Sequence, residues 1–329
     1  MTKLLEIRDL HTHFFTRDGI AKAVDGVSLS LERGQILGLV GESGSGKSVT
    51  GFSILGLVDA PGRVVSGQVL FDGTDLIAGG ERLLRTLRGK RIAMIFHDPL
   101  MTLNPVLRID TQMIETVRAH EDVSRDEALR RSREALVSVG ISSPDERLET
   151  YPHQFSGGMR QRVAIAIALL HKPDLIIADE PTTALDVTIQ AQILSEVQAL
   201  CANSGTALIW ITHDLAVVSG LADHLAVMYA GRIIEEGPTR DVIAQPMHPY
   251  TKGLIESVPR GKKHGALLSQ IKGMTPSLLR LPSGCKFRPR CPRATAACEI
   301  EPALDVTDQG RRVRCVHPHT ENYPEVLAK

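Results

Sequence analysis

Gly41-Glu42-Ser43-Gly44-Ser45-Gly46-Lys47-Ser48 fits the phosphate-loop pattern G-x-x-x-x-G-K-[ST] at every position. It stands where that chemistry needs it, after the apolar run Ile36-Leu37-Gly38-Leu39-Val40 and before a helical pattern. Glycines at 41, 44 and 46 let the backbone curl until successive N–H groups face one concavity, where the positive end of the next helix also attracts phosphate. Lys47 then reaches the β- and γ-phosphates, and the Ser48 hydroxyl is placed for Mg²⁺. Ser43, Ser45 and Val49 complete the expected nucleotide contacts. The ligand this implies is a nucleotide polyphosphate with Mg²⁺, and ATP in combination with the motifs that follow.

Working outward, 329 residues suggest about two domains at roughly 150 residues each, and 43% hydrophobic content is ample for their cores. Lys+Arg and Asp+Glu are both 38, so no global basic field draws nucleic acid. The central apolar stretch from Val163 to Leu170 is bounded by Arg162 and His171, far short of the ~20 residues that span a bilayer. The N-terminal residues alternate like a strand and lack a signal-peptide core, which places the chain in the cytosol with its five cysteines reduced or ligating.

The text around the loop reads as an α/β fold. Leu5 to Leu10, Ala21 to Leu31 and Gln68 to Phe71 are short alternating runs, expected to form an N-terminal antiparallel sheet. Ile36 to Val40, Arg91 to Phe96, Leu175 to Ala178 and Ala207 to Thr212 are apolar runs of a parallel core, and each ends at a chemically loaded residue. Between the second and third, about 100–165 turns helical: Ser124 to Glu127 is a capping box, and Leu129, Leu136 and Val139 repeat at helical spacing up to Gly140. A helical subdomain is therefore inserted. His224 to Gly237 reads as a hairpin that closes a main domain of residues 1–245, and a proline-thickened C-terminal extension occupies 246–329.

Leu175-Ile176-Ile177-Ala178-Asp179-Glu180 is an apolar strand ending in two carboxylates, Asp179 for Mg²⁺ and Glu180 to polarise the attacking water. Upstream of it, Ser156-Gly157-Gly158-Met159-Arg160-Gln161-Arg162 resembles the signature motif of ATP-binding-cassette (ABC) ATPases, a likeness that covers residues 1 to about 245. In that family two cassettes pair head to tail, which implies that Ser156, Gly157, Gly158 and Gln161 serve ATP held by the other cassette's phosphate loop. The resemblance continues in order. Ala184-Leu185-Asp186 resembles the D-loop at the cassette interface, and His213, after the last core strand, resembles the switch histidine at the γ-phosphate. Phe14, or else Phe15, is the candidate to stack on adenine. One position departs from the family: Ile95-Phe96-His97-Asp98-Pro99 resembles the Q-loop, with His97 where glutamine is usual. A neutral imidazole can still hydrogen-bond and bind metal, but it is shorter and a histidine ordinarily titrates near neutrality.

Pro246-Met247-His248-Pro249-Tyr250-Thr251-Lys252 resembles the start of the extension found in the ATPases of dipeptide, oligopeptide and nickel uptake systems. Beyond it, Cys285, Cys291, Cys298 and Cys315 are separated by five, six and sixteen residues. Short C-x₂₋₄-C knuckles are absent, which favours a [4Fe–4S] cluster over zinc, with free thiols the third reading. Arg288, Arg290, Arg293, Arg311, Arg312 and Arg314 are expected to offset the charge of such a cluster. Cys201 stands apart on a helix and is expected in the core.

The resemblance implies an ATPase subunit of a peptide importer at the cytoplasmic side of the inner membrane. Its implied partners are two transmembrane permease subunits, a second and paralogous cassette, and an extracytoplasmic peptide-binding protein, with no nucleic acid. Nickel or glutathione uptake is the alternative within transport, and a nucleotide-switched module acting on nucleic acid or ribosomes is the alternative outside it.

Overall fold

The computed structural model describes residues 3–182, 186–258, 270–308 and 310–319. The chain divides into two compact units, the first made of Met1–Glu32, Ile36–Ala78 and Trp210–Lys329, the second of Arg33–Gln35 and Gly79–Ile209. The C-terminal extension thus shares a unit with the N-terminal sheet and the phosphate loop.

In the first unit the N-terminal sheet runs Gly19–Glu32, Lys3–Thr16, Gly62–Phe71, Thr74–Asp75, all antiparallel. Leu5, Ile7 and Leu10 face the core, but the first two strands reach 14 residues each, longer than the alternating pattern indicates. Register shifts explain the difference: the pairing slips between Ile7 and Leu10 and again at Thr12/His13, which disguises the period-2 signal while the ladder continues. After the slip Thr12 is wholly buried and its hydroxyl meets that of Ser53 at 2.7 Å.

The same unit holds the strand Ile36–Val40, buried at every residue, paired in parallel with His224–Tyr229. The expected hairpin is present. His224–Tyr229 turns at Ala230 and Gly231, both with positive φ, into the antiparallel Arg232–Pro238, the geometry of a tight two-residue connection. The extension adds two short strands to this sheet, Arg312–Val313 beside Arg232–Pro238 and then Asp305–Val306.

The second unit carries the parallel pair Ile92–Ile95 and Leu175–Asp179 and the helices Ile109–Arg118, Arg125–Ser138, Pro144–Leu148, Gly157–Leu169 and Val187–Ser204. The helix read between Ser124 and Gly140 is present as Arg125–Ser138. Ser124 caps Arg125–Ser138, its Oγ accepting from the Glu127 N–H, and the buried face is Ala128, Ser132 and Leu136 followed by Val139. Leu129, at the edge of that stripe in the second turn of the helix, is instead 37% exposed. Cys201 is in the core, 3% exposed. The fully buried strand Ala207–Thr212 passes from the second unit into the first. Among the described residues no helix is long and apolar enough to cross a membrane.

Candidate nucleotide site

The phosphate loop leaves the buried strand Ile36–Val40 and ends at Gly46, which caps the helix Lys47–Leu55. Gly46 has φ +105°, and a Cβ there would lie 2.1 Å from the Ala23 carbonyl oxygen, so glycine is required both by conformation and by space. Lys47 begins the helix. Its ammonium is 5% exposed as a residue and donates to the carbonyls of Gly41 at 2.8 Å and Glu42 at 3.0 Å, which folds the side chain back over the loop. Ser43 and Gly44 are exposed, Ser48 and Val49 half-buried, and the wholly buried Ser45 Oγ has no partner among the described residues. A helix start whose first residue is a buried lysine is a receptor for polyphosphate.

The second unit presents the carboxylates. Leu175–Asp179 is buried throughout and delivers Asp179, 5% exposed, to its carboxyl end. Glu180 follows with φ +46°, a left-handed conformation that a non-glycine residue adopts at a cost of order 1 kcal/mol and that turns its side chain out of the strand direction. His97 is brought to it: its Nδ1 stands 3.9 Å from Glu180 Oε2, with the imidazole 57% and the carboxylate 24% exposed. Two of the three expected catalytic groups therefore face one another across the ends of neighbouring parallel strands.

The signature segment opens the helix Gly157–Leu169, and Ser156 caps it by accepting from the Met159 N–H at 3.3 Å. A Cβ at Gly157 would meet nothing within 4 Å, so packing inside this chain does not demand glycine there. Gln161 departs from its expected place in the interface. It is 1% exposed and donates to the Phe96 carbonyl at 3.3 Å, because its position on the helix faces the strand that leads to His97. It ties the signature helix to the residue before His97 and does not reach outward.

Asp186 caps the helix Val187–Ser204 through the Ile189 N–H at 3.0 Å, while Ala184 and Leu185 of the same expected loop lie outside the described residues. His213 follows the strand Ala207–Thr212 and is exposed, in the unit of the phosphate loop. Of the two phenylalanines, Phe14 is half-buried with its ring against Gly62. Phe15 is 37% exposed, with the Arg63 guanidinium 4.4 Å over its ring.

Sequence reasoning missed a further set of residues. Glu42, the second residue of the phosphate loop, is bound by the extension at three points: Arg290 grips its carboxylate bidentately, Thr275 donates to it, and Tyr250 Oη accepts from its backbone N–H. Burial alone would push the Glu42 carboxyl up, but the bonds from Arg290 and Thr275 outweigh it and hold it below the ordinary range. Only the tertiary fold brings residues over 200 positions apart together, so no local signal announced the contact.

The arginines of the extension correct a second expectation. Arg290 is spent on Glu42, Arg311 on the buried Glu235 and the Gln245 carbonyl, Arg312 on Glu236, and Arg314 on the carbonyls of Ile233 and Pro302. Only Arg288 and Arg293 line the cavity shared by Cys285, Cys291, Cys298 and Cys315. Within it, the backbone N–H of Phe287, Arg293 and His317 points at the sulfur two residues earlier, at Cys285, Cys291 and Cys315. Burial nonetheless pushes the Cys285 and Cys291 thiols up and that of Cys315 to about 11, so the pocket favours neutral thiols unless a cation shares it. Among the described residues, the set of three potential ligands lying within 4.8 Å of one another is His11, His13 and Asp25, and Arg232 already holds Asp25. No three of the cysteine sulfurs lie that close to one another.

Known proteins resemble the chain over nearly its whole length. Residues 24–183 match the ABC transporter family, and residues 234–298 match the oligopeptide/dipeptide transporter C-terminal region. The chain is 48% identical to the oligopeptide transport ATP-binding protein OppD of Salmonella typhimurium over 97% of its length and 95% of the relative's. It is 46% identical to the dipeptide transport ATP-binding protein DppD of Bacillus subtilis over 96% of its length and 95% of the relative's. Among solved structures, a dimeric post-hydrolysis state of an ATP-binding cassette bound to ADP and Pi covers 72% of this chain and 99% of its own, with a TM-score of 0.66 at 26% identity. The chain belongs to the ABC transporter family, in the branch of the oligopeptide and dipeptide transport ATP-binding proteins.

Proposed function

We propose that the chain is the ATP-hydrolysing subunit of a multi-subunit importer for di- and oligopeptides. The observation that carries the ATPase part is the pairing of a complete phosphate loop with a capped signature helix whose Gly157 faces open space. An anion nest directed outward, away from the chain's own packing, suits ATP held by a second cassette. The peptide assignment rests on near full-length similarity to oligopeptide and dipeptide transport proteins. In this reading Ser48 and Asp179 hold Mg²⁺, Glu180 orients the attacking water with His97 beside it, and His213 meets the γ-phosphate. Ser156 and Gly158 complete the partner's site, Asp186 lies at the cassette interface, and Phe15, the more exposed ring, takes the adenine in preference to Phe14. Two transmembrane permease subunits, a paralogous second cassette and an extracytoplasmic binding protein complete the assembly, with this chain on the cytoplasmic side of the inner membrane. Reconstitution with the permease subunits tests it: ATP hydrolysis should rise when binding protein and dipeptide are added together. Stimulation by nickel or glutathione with none by any peptide would reassign the cargo.

We infer further that the four-cysteine cavity holds a [4Fe–4S] cluster, which would supply the missing positive charge. Tetrahedral zinc with bonds of about 2.3 Å needs four sulfurs about 3.8 Å apart, and no three of these lie within 4.8 Å of one another, whereas a cluster spans a wider pocket. Backbone N–H groups aimed at three of the sulfurs suit thiolates. Anaerobically purified protein should be brown with about four irons per chain, and Cys291→Ser should lose them; colourless, iron-free protein rejects the reading.

A further inference from the structure

The phosphate loop is braced by the C-terminal extension through a residue that phosphate binding itself does not need. Arg290 Nη1 lies 2.6 Å from Glu42 Oε2 and Nη2 2.9 Å from Oε1, and the arginine side chain is only 5% exposed. Its third donor, Nε, is fixed on the Lys272 carbonyl at 3.0 Å, so the fork has one orientation. Thr275 Oγ1 donates to Glu42 Oε2 at 2.8 Å, and the Glu42 N–H donates to Tyr250 Oη at 2.8 Å. The Glu42 carbonyl in turn accepts from Lys47 Nζ. Side chain, N–H and C=O of one loop residue are all committed, two of them to the extension and the third to the phosphate-binding lysine.

Chemically this arrangement answers a problem the loop creates for itself. A carboxylate placed in a phosphate loop repels the very ligand the loop collects, unless a fixed cation neutralises it. We propose that Arg290 is a positioning residue for ATP binding, supplied by the C-terminal extension: it neutralises Glu42 and, through the Glu42 backbone, fixes the first turn of the phosphate loop. The inference rests on ATP binding by the loop and is independent of what the four cysteines hold.

Equilibrium binding of Mg-ATP to the full-length chain tests it. Arg290→Ala should weaken binding roughly tenfold, because truncating one partner of a buried charge pair leaves the other uncompensated. Adding Glu42→Gln to Arg290→Ala should return the affinity to within about threefold of wild type, since the unpaired charge is then gone. A purely structural arginine predicts the reverse, a double variant no better than the single one, and that result overturns the proposal. So does wild-type affinity in Arg290→Ala. Should Arg290→Ala fail to fold, the neutral and polar, though shorter, Arg290→Gln carries the same two expectations. Absence of Mg-ATP binding in the wild-type chain would instead reject the loop reading itself.

Discussion

Replacing Glu180 with Gln leaves Mg-ATP binding intact and lowers ATP turnover by roughly 10²–10³-fold, the usual cost of removing one preorganised group from a transition state. Asp179 and Glu180 are adjacent in sequence but different in setting. Asp179 is buried at the end of its strand, fit to hold a cation in place, while Glu180 is swung out by its positive φ toward a partly open surface. Phosphoryl transfer asks the protein mainly for positioning and charge, and a carboxylate fixed by its own backbone supplies both to a water. His97 belongs to the same experiment. At 3.9 Å from Glu180 Oε2 it shares the carboxylate's surroundings without making a close hydrogen bond, so its removal costs less. His97→Ala should lower turnover roughly fivefold, on the order of 1 kcal/mol of lost charge and water positioning, with His97→Gln between it and wild type. Steady-state ATPase assays alongside nucleotide binding decide the series. Turnover in Glu180→Gln within threefold of wild type would remove Glu180 from the mechanism, and identical kinetics in both His97 variants would make the histidine incidental.

The legible parts of this protein were those in which chemistry is local in sequence. Gly41 to Ser48 must be contiguous, because consecutive backbone N–H groups make the phosphate nest, and the strand Leu175–Asp179 must end at its carboxylate, so both could be read directly. Ser124 announced its helix for the same reason, as a cap and the N–H that donates to it lie three residues apart. What escaped was long-range. The partners of Glu42 come from positions 250, 275 and 290, and the arginines near the cysteines are charge-matched to Glu235, Glu236 and Glu42, not to the thiol cavity. A run of arginines shows that charge is needed nearby, but only the fold decides which anion receives it. Gln161 shows the converse limit: its motif position suggested an outward role, whereas helix phase turns it to the Phe96 carbonyl.

Lys47→Met should raise the dissociation constant for Mg-ATP about a hundredfold, equivalent to about 2.7 kcal/mol, with little change in thermal stability. The lysine is nearly buried at the first turn of Lys47–Leu55, and its Nζ rests on two neutral carbonyls, those of Gly41 and Glu42. A desolvated ammonium at a helix start interacts more strongly with a polyphosphate than with backbone carbonyl dipoles such as these. Methionine keeps the aliphatic stem that fills the space and removes only the charge, which makes the substitution a test of electrostatics and not of packing. The contrast with Arg290→Ala separates two roles. Losing Lys47 removes an attraction to the phosphates, and no change at Glu42 restores it. Losing Arg290 uncovers a repulsion that Glu42→Gln removes. If Lys47→Met bound Mg-ATP within about threefold of wild type, under one kcal/mol, the loop geometry alone would be carrying recognition. The buried ammonium would then be a structural tether of the loop backbone, and a fall in the unfolding temperature would be seen in its place.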